Sequence, residues 1–242
     1  MQTREAPQVP RPTFLGGSKG LWIGGKWLPA VSGEEFDTYN PADGTVIARL
    51  ARGSDVDVDR AVTAARAAFE GEWSRWTPYQ RQRLLLRIND VMEQHAEELA
   101  ILETMDMGAP LTRTRAGIKW ISQAISFFAS CATAVTTTTS QNSLPGEIMT
   151  LNHRAPLGVI GGIIPWNGPL GGQWWVIGPA LATGCTCVLK PAEDASLSIL
   201  RFAELLGEVG LPDGVVNIVT GFGGEAGAAL AAHLGVDKIS FT

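Results

Sequence analysis

No apolar run in this 242-residue sequence approaches the roughly 20 residues needed to cross a bilayer. The opening Met1-Gln2-Thr3-Arg4-Glu5 leads into Pro-rich sequence, not an apolar signal core. The expectation is a cytoplasmic protein without a membrane partner. Cysteine is scarce too: Cys131, Cys185 and Cys187 are too few and too oddly spaced for a disulfide framework, which suits a reducing compartment. Cys185 and Cys187, one residue apart in an apolar stretch, read as packing residues and not as a metal pair. His95, His153 and His233 lie far apart with no i, i+4 pairing, so no zinc signature exists and no metal is expected. A basic stripe is also missing. Nineteen Lys and Arg against 24 Asp and Glu give a net charge of -5, with the cations scattered, so nucleic acid is not an expected partner. What remains is an ordinary globular composition, 45% hydrophobic and 18% charged.

Residues 1 to about 18 hold Pro7, Pro10, Pro12, Gly16 and Gly17 with little apolar periodicity and read as a loose arm. Leu21-Trp22-Ile23 and Lys26-Trp27-Leu28 flank Gly24-Gly25, the spacing of a hairpin whose turn residues take positive φ. A second strand pair is expected around Asn40-Pro41-Ala42-Asp43-Gly44. Ser54 and Asp57 form a capping-box pattern ahead of Val58, Ala61, Val62, Ala65 and Phe69 at helical spacing. Thr77-Pro78-Tyr79-Gln80 is a stronger helix start, followed by Leu84, Leu85, Ile88 and Met92, with a further helical stretch ending near Gly108. After Pro110, the residues Ile118, Ile121, Ile125 and Phe128 mark one face of a long helix. None of these helices carries visible chemistry. Val135 to Glu147 is a polar, β-prone connection, and Ile148 to Arg154 reads as an exposed strand. Two roles fit that strand: an arm of a subunit contact, or an edge strand of the same domain.

From Leu157 the pattern becomes regular. Four short apolar runs, Leu157–Ile164, Cys187–Leu189, Val215–Val219 and Lys238–Phe241, are separated by helical stretches at about 170–183, 196–209 and 224–234. Continuous apolar strands alternating with helices indicate an α/β fold, a doubly wound parallel sheet covered on both faces. In such sheets ligands bind outside the carboxyl ends of the strands. The residues there are Pro165-Trp166-Asn167, Lys190-Pro191-Ala192-Glu193 and Gly221-Phe222-Gly223.

Those segments carry a resemblance. Ile164-Pro165-Trp166-Asn167-Gly168-Pro169-Leu170, Gly178-Pro179-Ala180-Leu181-Ala182-Thr183-Gly184-Cys185 and Val188-Leu189-Lys190-Pro191-Ala192-Glu193 resemble successive segments of the NAD(P)-dependent aldehyde dehydrogenases. Gly210-Leu211-Pro212-Asp213-Gly214-Val215-Val216-Asn217 and the closing Phe241-Thr242 match as well, in order and at the family's spacing. The likeness runs from about residue 20 to the last residue.

The resemblance implies a Rossmann-like sheet, left incomplete, behind an amino-terminal helical and hairpin region. It implies a flexible arm over 1–18, the first part of a cofactor-binding domain over 19–138, an oligomerisation arm over 139–156 and the NAD-binding part over 157–242. Asn167 is then the oxyanion stabiliser: its amide donates to the oxygen of the thiohemiacetal formed when a cysteine attacks the aldehyde. A neutral donor of fixed geometry suits that task. Lys190, Ala192 and Glu193 lie where family members bind the adenosine ribose; a carboxylate there accepts from both hydroxyls and repels a 2′-phosphate, favouring NAD over NADP. Gly223 lets adenosine approach the backbone, although glycines serving only the turn read equally well. Ile164, Pro165 and Trp166 border the nicotinamide side, with core packing the competing reading for Trp166. Thr242 stands at the mouth of the pyrophosphate site.

Two departures from the family pattern stand out. Trp175 occupies the place of the Lys that usually follows the tryptophan of the first crossover helix. The family's nucleophilic Cys and water-activating Glu have no counterpart here, so the expectation is a truncated reading of a longer protein whose catalytic domain is absent from this sequence. The complete protein is expected to oxidise a small-molecule aldehyde to a carboxylic acid with NAD, as a homodimer or homotetramer, and this fragment is expected to be inactive. Two other classes remain open: a non-catalytic nucleotide-binding or scaffolding module, and a phosphorylating or CoA-acylating relative.

Overall fold

The computed structural model describes residues 10–135, 138–140, 143 and 145–242. Residues 1–9 of the expected arm, and positions 136, 137, 141, 142 and 144 of the polar connection, lie outside the described residues. The arm's visible end is held. Gly16 N donates to Ile47 O at 2.7 Å and Arg49 N to Gly17 O at 2.9 Å, placing β1 (Ser18–Lys19) beside β5 (Val46–Ala51).

The Gly24-Gly25 hairpin forms as expected, joining β2 (Leu21–Ile23) to β3 (Lys26–Leu28), with φ of +60° and +72° at the two glycines. The strand pair around Asn40–Gly44 is β4 (Glu35–Tyr39) and β5. Both capping boxes are made. Ser54 and Asp57 start α1 (Asp55–Glu70), and Thr77 and Gln80 start α2 (Pro78–Gln94). Then come α3 (Ala96–Met107), closed by Gly108 at φ +78°, and α4 (Leu111–Ala134), which buries Ile118, Ile121, Ile125 and Phe128. β6 (Thr138–Ser140) and β7 (Thr150–Asn152) pair as a separate antiparallel ribbon.

The four apolar runs become β8 (Val159–Ile164), β9 (Thr186–Pro191), β10 (Val216–Ile218) and β11 (Lys238–Phe241). They lie parallel in the order β11-β8-β9-β10. The sheet then continues in antiparallel fashion into β2 and β3, so the amino-terminal hairpin extends the sheet and the whole is mixed. Asn217 ties this junction. Its Oδ1 accepts from Gly24 N at 2.9 Å, and its Nδ2 donates to Gly214 O at 2.7 Å.

The crossover helices differ from the simplest reading. The stretch at 170–183 divides at Gln173 into α5 (Pro169–Gly172) and α6 (Trp174–Thr183). That at 196–209 is α7 (Leu197–Glu208). The stretch at 224–234 shortens to a wide turn, Gly223–Gly227, and the five residues of α8 (Ala228–Ala232). Three glycines in Gly223–Gly227 explain the loose turn, since each adds backbone freedom that helix formation must remove.

Two cores flank the sheet. Alternation along β9 sends Cys187 and Leu189 to the larger one, with Trp174 and Phe202, and Val188 to the smaller one, with Val58, Ala61 and Leu230. Cys185 and Cys187 are both buried there. Among the described residues no helix is long and apolar enough to cross a membrane.

Candidate functional site

The strand order places the site. β9 and β10 lie on one side of β8 and β11 on the other, so the order reverses between β8 and β11, and open sheets of this kind bind ligands beyond the carboxyl ends near such a reversal. The register brings those ends together: Ile164 pairs with Pro191, Ile163 with Lys190, and Phe241 with Ile163. Thr242 N donates to Ile163 O at 3.3 Å, which sets Thr242 beside the end of β8.

After β8, Ile164 is buried, Pro165 half-buried, and both Trp166 and Asn167 are exposed. The Asn167 side chain has no hydrogen-bond partner among the described residues, whereas its carbonyl oxygen accepts from Arg113 Nη2 at 3.1 Å. Trp166, 59% exposed, packs as no core residue would. It lines a cleft of about 300 Å³ with Thr38, Pro41, Asp106, Glu193 and Asp194.

After β9, Lys190 is only 2% exposed, yet its Nζ lies 2.7 Å from Glu193 Oε2. Burial raises the Glu193 carboxyl, but the Lys190 ammonium and backbone N–H groups, Gly223's among them, outweigh it and hold the group below the usual carboxylate range. The pair is thus a cation sunk in the protein that aims a carboxylate outward. Ala192 O accepts from Ala195 N at 3.1 Å and Ser196 Oγ at 2.8 Å, which shapes the turn.

After β10, Thr220 Oγ1 donates to Ala51 O at 2.6 Å and Gly53 N to Thr220 O at 2.9 Å, anchoring the glycine-rich segment to β5. A Cβ built on Gly223 or Gly224 meets nothing within 4 Å, so this rim is open. Lys190, Glu193 and Gly223 therefore converge, with Asn167 and Thr242 one and two strands away.

Sequence reasoning passed over α3. Glu103 and Asp106 are buried there, and burial pushes each carboxyl up to about 7. The available signal was two acids three residues apart in a helix whose neighbouring positions, Leu99 to Leu102, are all apolar and buried. Trp175 is 61% exposed, and its ring centroid stands 5.5 Å from that of Trp120, so the helix surface there is apolar.

A doubly wound sheet with polar groups and open glycines gathered at its strand ends has the build of a dinucleotide-binding protein. Residues 27–242 match the model of the aldehyde dehydrogenase family, and the chain belongs to that family. It is 48% identical over 232 residues to DhaS of Bacillus subtilis, covering 95% of this chain and 46% of that protein. It is 45% identical over 227 residues to the NADP/NAD-dependent aldehyde dehydrogenase PuuC of Escherichia coli, covering 92% of this chain and 45% of that one. The NAD+ complex of aldehyde dehydrogenase from Bacillus cereus superposes with a TM-score of 0.89 at 42% identity, over 93% of this chain and 46% of the other. The chain thus spans just under half the length of these relatives.

Proposed function

We propose that this chain supplies the NAD-binding part of an enzyme that oxidises a small-molecule aldehyde to a carboxylic acid. The observation carrying this reading is the convergence of buried Lys190, outward-facing Glu193 and open Gly223 at the ends of β9 and β10. The fit to a dinucleotide is chemical. Glu193 offers acceptors for the two ribose hydroxyls and repels a 2′-phosphate, and the absence of side chains at Gly223 and Gly224 leaves room for adenosine against the backbone. Ala192 and Lys190 hold the carboxylate in place. Ile164, Pro165 and Trp166 border the nicotinamide side, and Thr242 the pyrophosphate. NAD, when bound, supplies the hydride acceptor.

Asn167 donates its free side-chain amide to the oxygen that becomes negative when the aldehyde carbon turns tetrahedral. Its lack of an internal partner supports that role, because an amide already bonded within the protein would have to break that bond first. The nucleophile is not among this chain's cysteines. Cys185 and Cys187 are buried, burial and the neighbouring Cys185 push the Cys187 thiol far up, and Cys131 lies on α4. The 242-residue chain alone is therefore read as binding cofactor without turnover. The β6–β7 ribbon, with Met149 and Leu151 exposed, is read as the arm of a homo-oligomer contact.

Titration of the chain with AMP, NAD and NADP, followed by calorimetry, tests the site. AMP and NAD should saturate, NADP should bind at least roughly tenfold more weakly, and Glu193→Gln should narrow that gap. Failure of both AMP and NAD to saturate overturns the site. NADH absorbance on adding NAD and an aldehyde overturns the expected inactivity.

A further inference from the structure

Two buried carboxylates have no part in the roles above. Glu103 and Asp106 stand three apart on α3 and so share one helix face, 4% and 2% exposed respectively. Each accepts hydrogen bonds from the backbone of a different turn of the cradle. Glu103 Oε1 accepts from Leu170 N at 3.1 Å, three residues after Asn167. Asp106 Oδ2 accepts from Leu197 N at 2.7 Å, four residues after Glu193, and the carboxylate also takes the Ser196 backbone N–H. Its other oxygen, Oδ1, accepts from Thr38 Oγ1 at 2.9 Å.

Arg113 completes the first of these attachments. It donates to Asn167 O at 3.1 Å and attracts the Glu103 carboxylate, so the Asn167–Leu170 segment is gripped at both ends. The second turn has internal bonds through Ala192 O, which fix its shape but not its place relative to the first. One rigid helix therefore grips both turns.

We propose that Glu103 and Asp106 are positioning residues that lock the turn bearing Asn167 and the turn bearing Glu193 to α3, and so set the spacing between the oxyanion amide and the ribose carboxylate. The assignment of those two ends rests on the nucleotide reading given under Proposed function. The two acids differ in what they demand. Asp106 accepts from the Leu197 and Ser196 backbone and from the Thr38 hydroxyl, and a leucine accepts from none of them. Glu103 uses a single oxygen toward Leu170, which a glutamine can replace.

The test combines amide hydrogen exchange by segment with AMP and NAD titration of the 242-residue chain, using Asp106→Leu, Glu103→Leu and Glu103→Gln. Asp106→Leu should speed exchange at 193–198 and weaken AMP roughly tenfold, as expected once the buried Leu197 N–H is left unpaired, while 168–172 stays protected. Glu103→Leu should speed exchange at 168–172, leave AMP within about twofold and reduce the advantage of NAD over AMP. Glu103→Gln should restore both. Should Asp106→Leu fail to fold, Thr38→Val removes one donor to the same carboxylate and carries the comparison at smaller amplitude.

Simultaneous loosening of both segments in either variant, or a Glu103→Gln protein no better than Glu103→Leu, overturns the proposal. If the segments loosen separately but the wild-type chain binds neither AMP nor NAD, the positioning of the turns stands and the nucleotide reading falls.

Discussion

The turns after β8 and β9 sit side by side, yet they are built in opposite ways. After β9, a buried lysine and backbone N–H groups hold Glu193 ionised and aimed before any ligand arrives. After β8, the backbone of Asn167 is gripped by Arg113, while its side chain is left unbonded among the described residues. The difference follows from the proposed tasks. A group that recognises a ground-state hydroxyl gains by being fixed in advance, because less ordering remains to be done on binding. A group that answers a charge appearing only during reaction must keep its donor unspent.

The largest effect that sharpens this contrast is in the complete enzyme. Asn167→Ala should lower kcat by roughly 10²–10³-fold, the usual loss of one oxyanion donor. Folding stability and NAD affinity of the 242-residue chain should stay within about 0.5 kcal/mol, as for an exposed side chain without partners. A drop in thermal midpoint comparable to that of a core substitution would show that Asn167 is structural.

Lys190→Met should act the other way. Removing the buried cation leaves Glu193 without its main partner, and AMP affinity should fall roughly tenfold or more, discounted from a fully buried pair because Glu193 is partly exposed. Equal AMP binding by the variant would break the comparison, since Glu193 would then need no preparation.

The contrast also explains what could be read without coordinates. Strand runs, both capping boxes and the Gly24-Gly25 turn were legible because each rests on neighbours in sequence. The polar residues at the strand ends were legible for the same reason: parallel topology fixes where a strand's next residue must lie. The antiparallel join of β10 to β2 was not, because it depends on Asn217 meeting Gly24 across the whole chain. Nor was the role of α3. An acid on a helix face normally signals solvent, and the apolar run Leu99–Leu102 beside them was the one sign in the sequence that Glu103 and Asp106 face inward. The shortening at 224–234 was not legible either: three glycines loosen the start of the stretch, while Ala226 and Leu230 are buried as they would be in a longer helix.

The smallest effect is one of pH, and it asks whether the helix behind both turns carries charge at neutrality. Burial raises Glu103 from an ordinary 4.5 to about 7, against the pull of the Leu170 N–H and of Arg113, with Asp106 as its acidic neighbour on α3. Because the folded state binds this proton more tightly than the unfolded chain does, its stabilising contribution is complete below about 4.5. It is then lost as pH climbs through about 7. Glutamine has no proton to release, so the stability of the wild-type chain relative to Glu103→Gln should decline steadily between pH 5 and pH 8. Urea midpoints measured for both proteins across that range decide the point, since the other titrating groups are common to the pair and cancel, apart from Asp106, which Glu103 helps to raise and whose change adds to the same decline. Parallel curves would mean that Glu103 ionises at an ordinary pH, and therefore that water or a mobile cation reaches the base of the turn that holds Asn167.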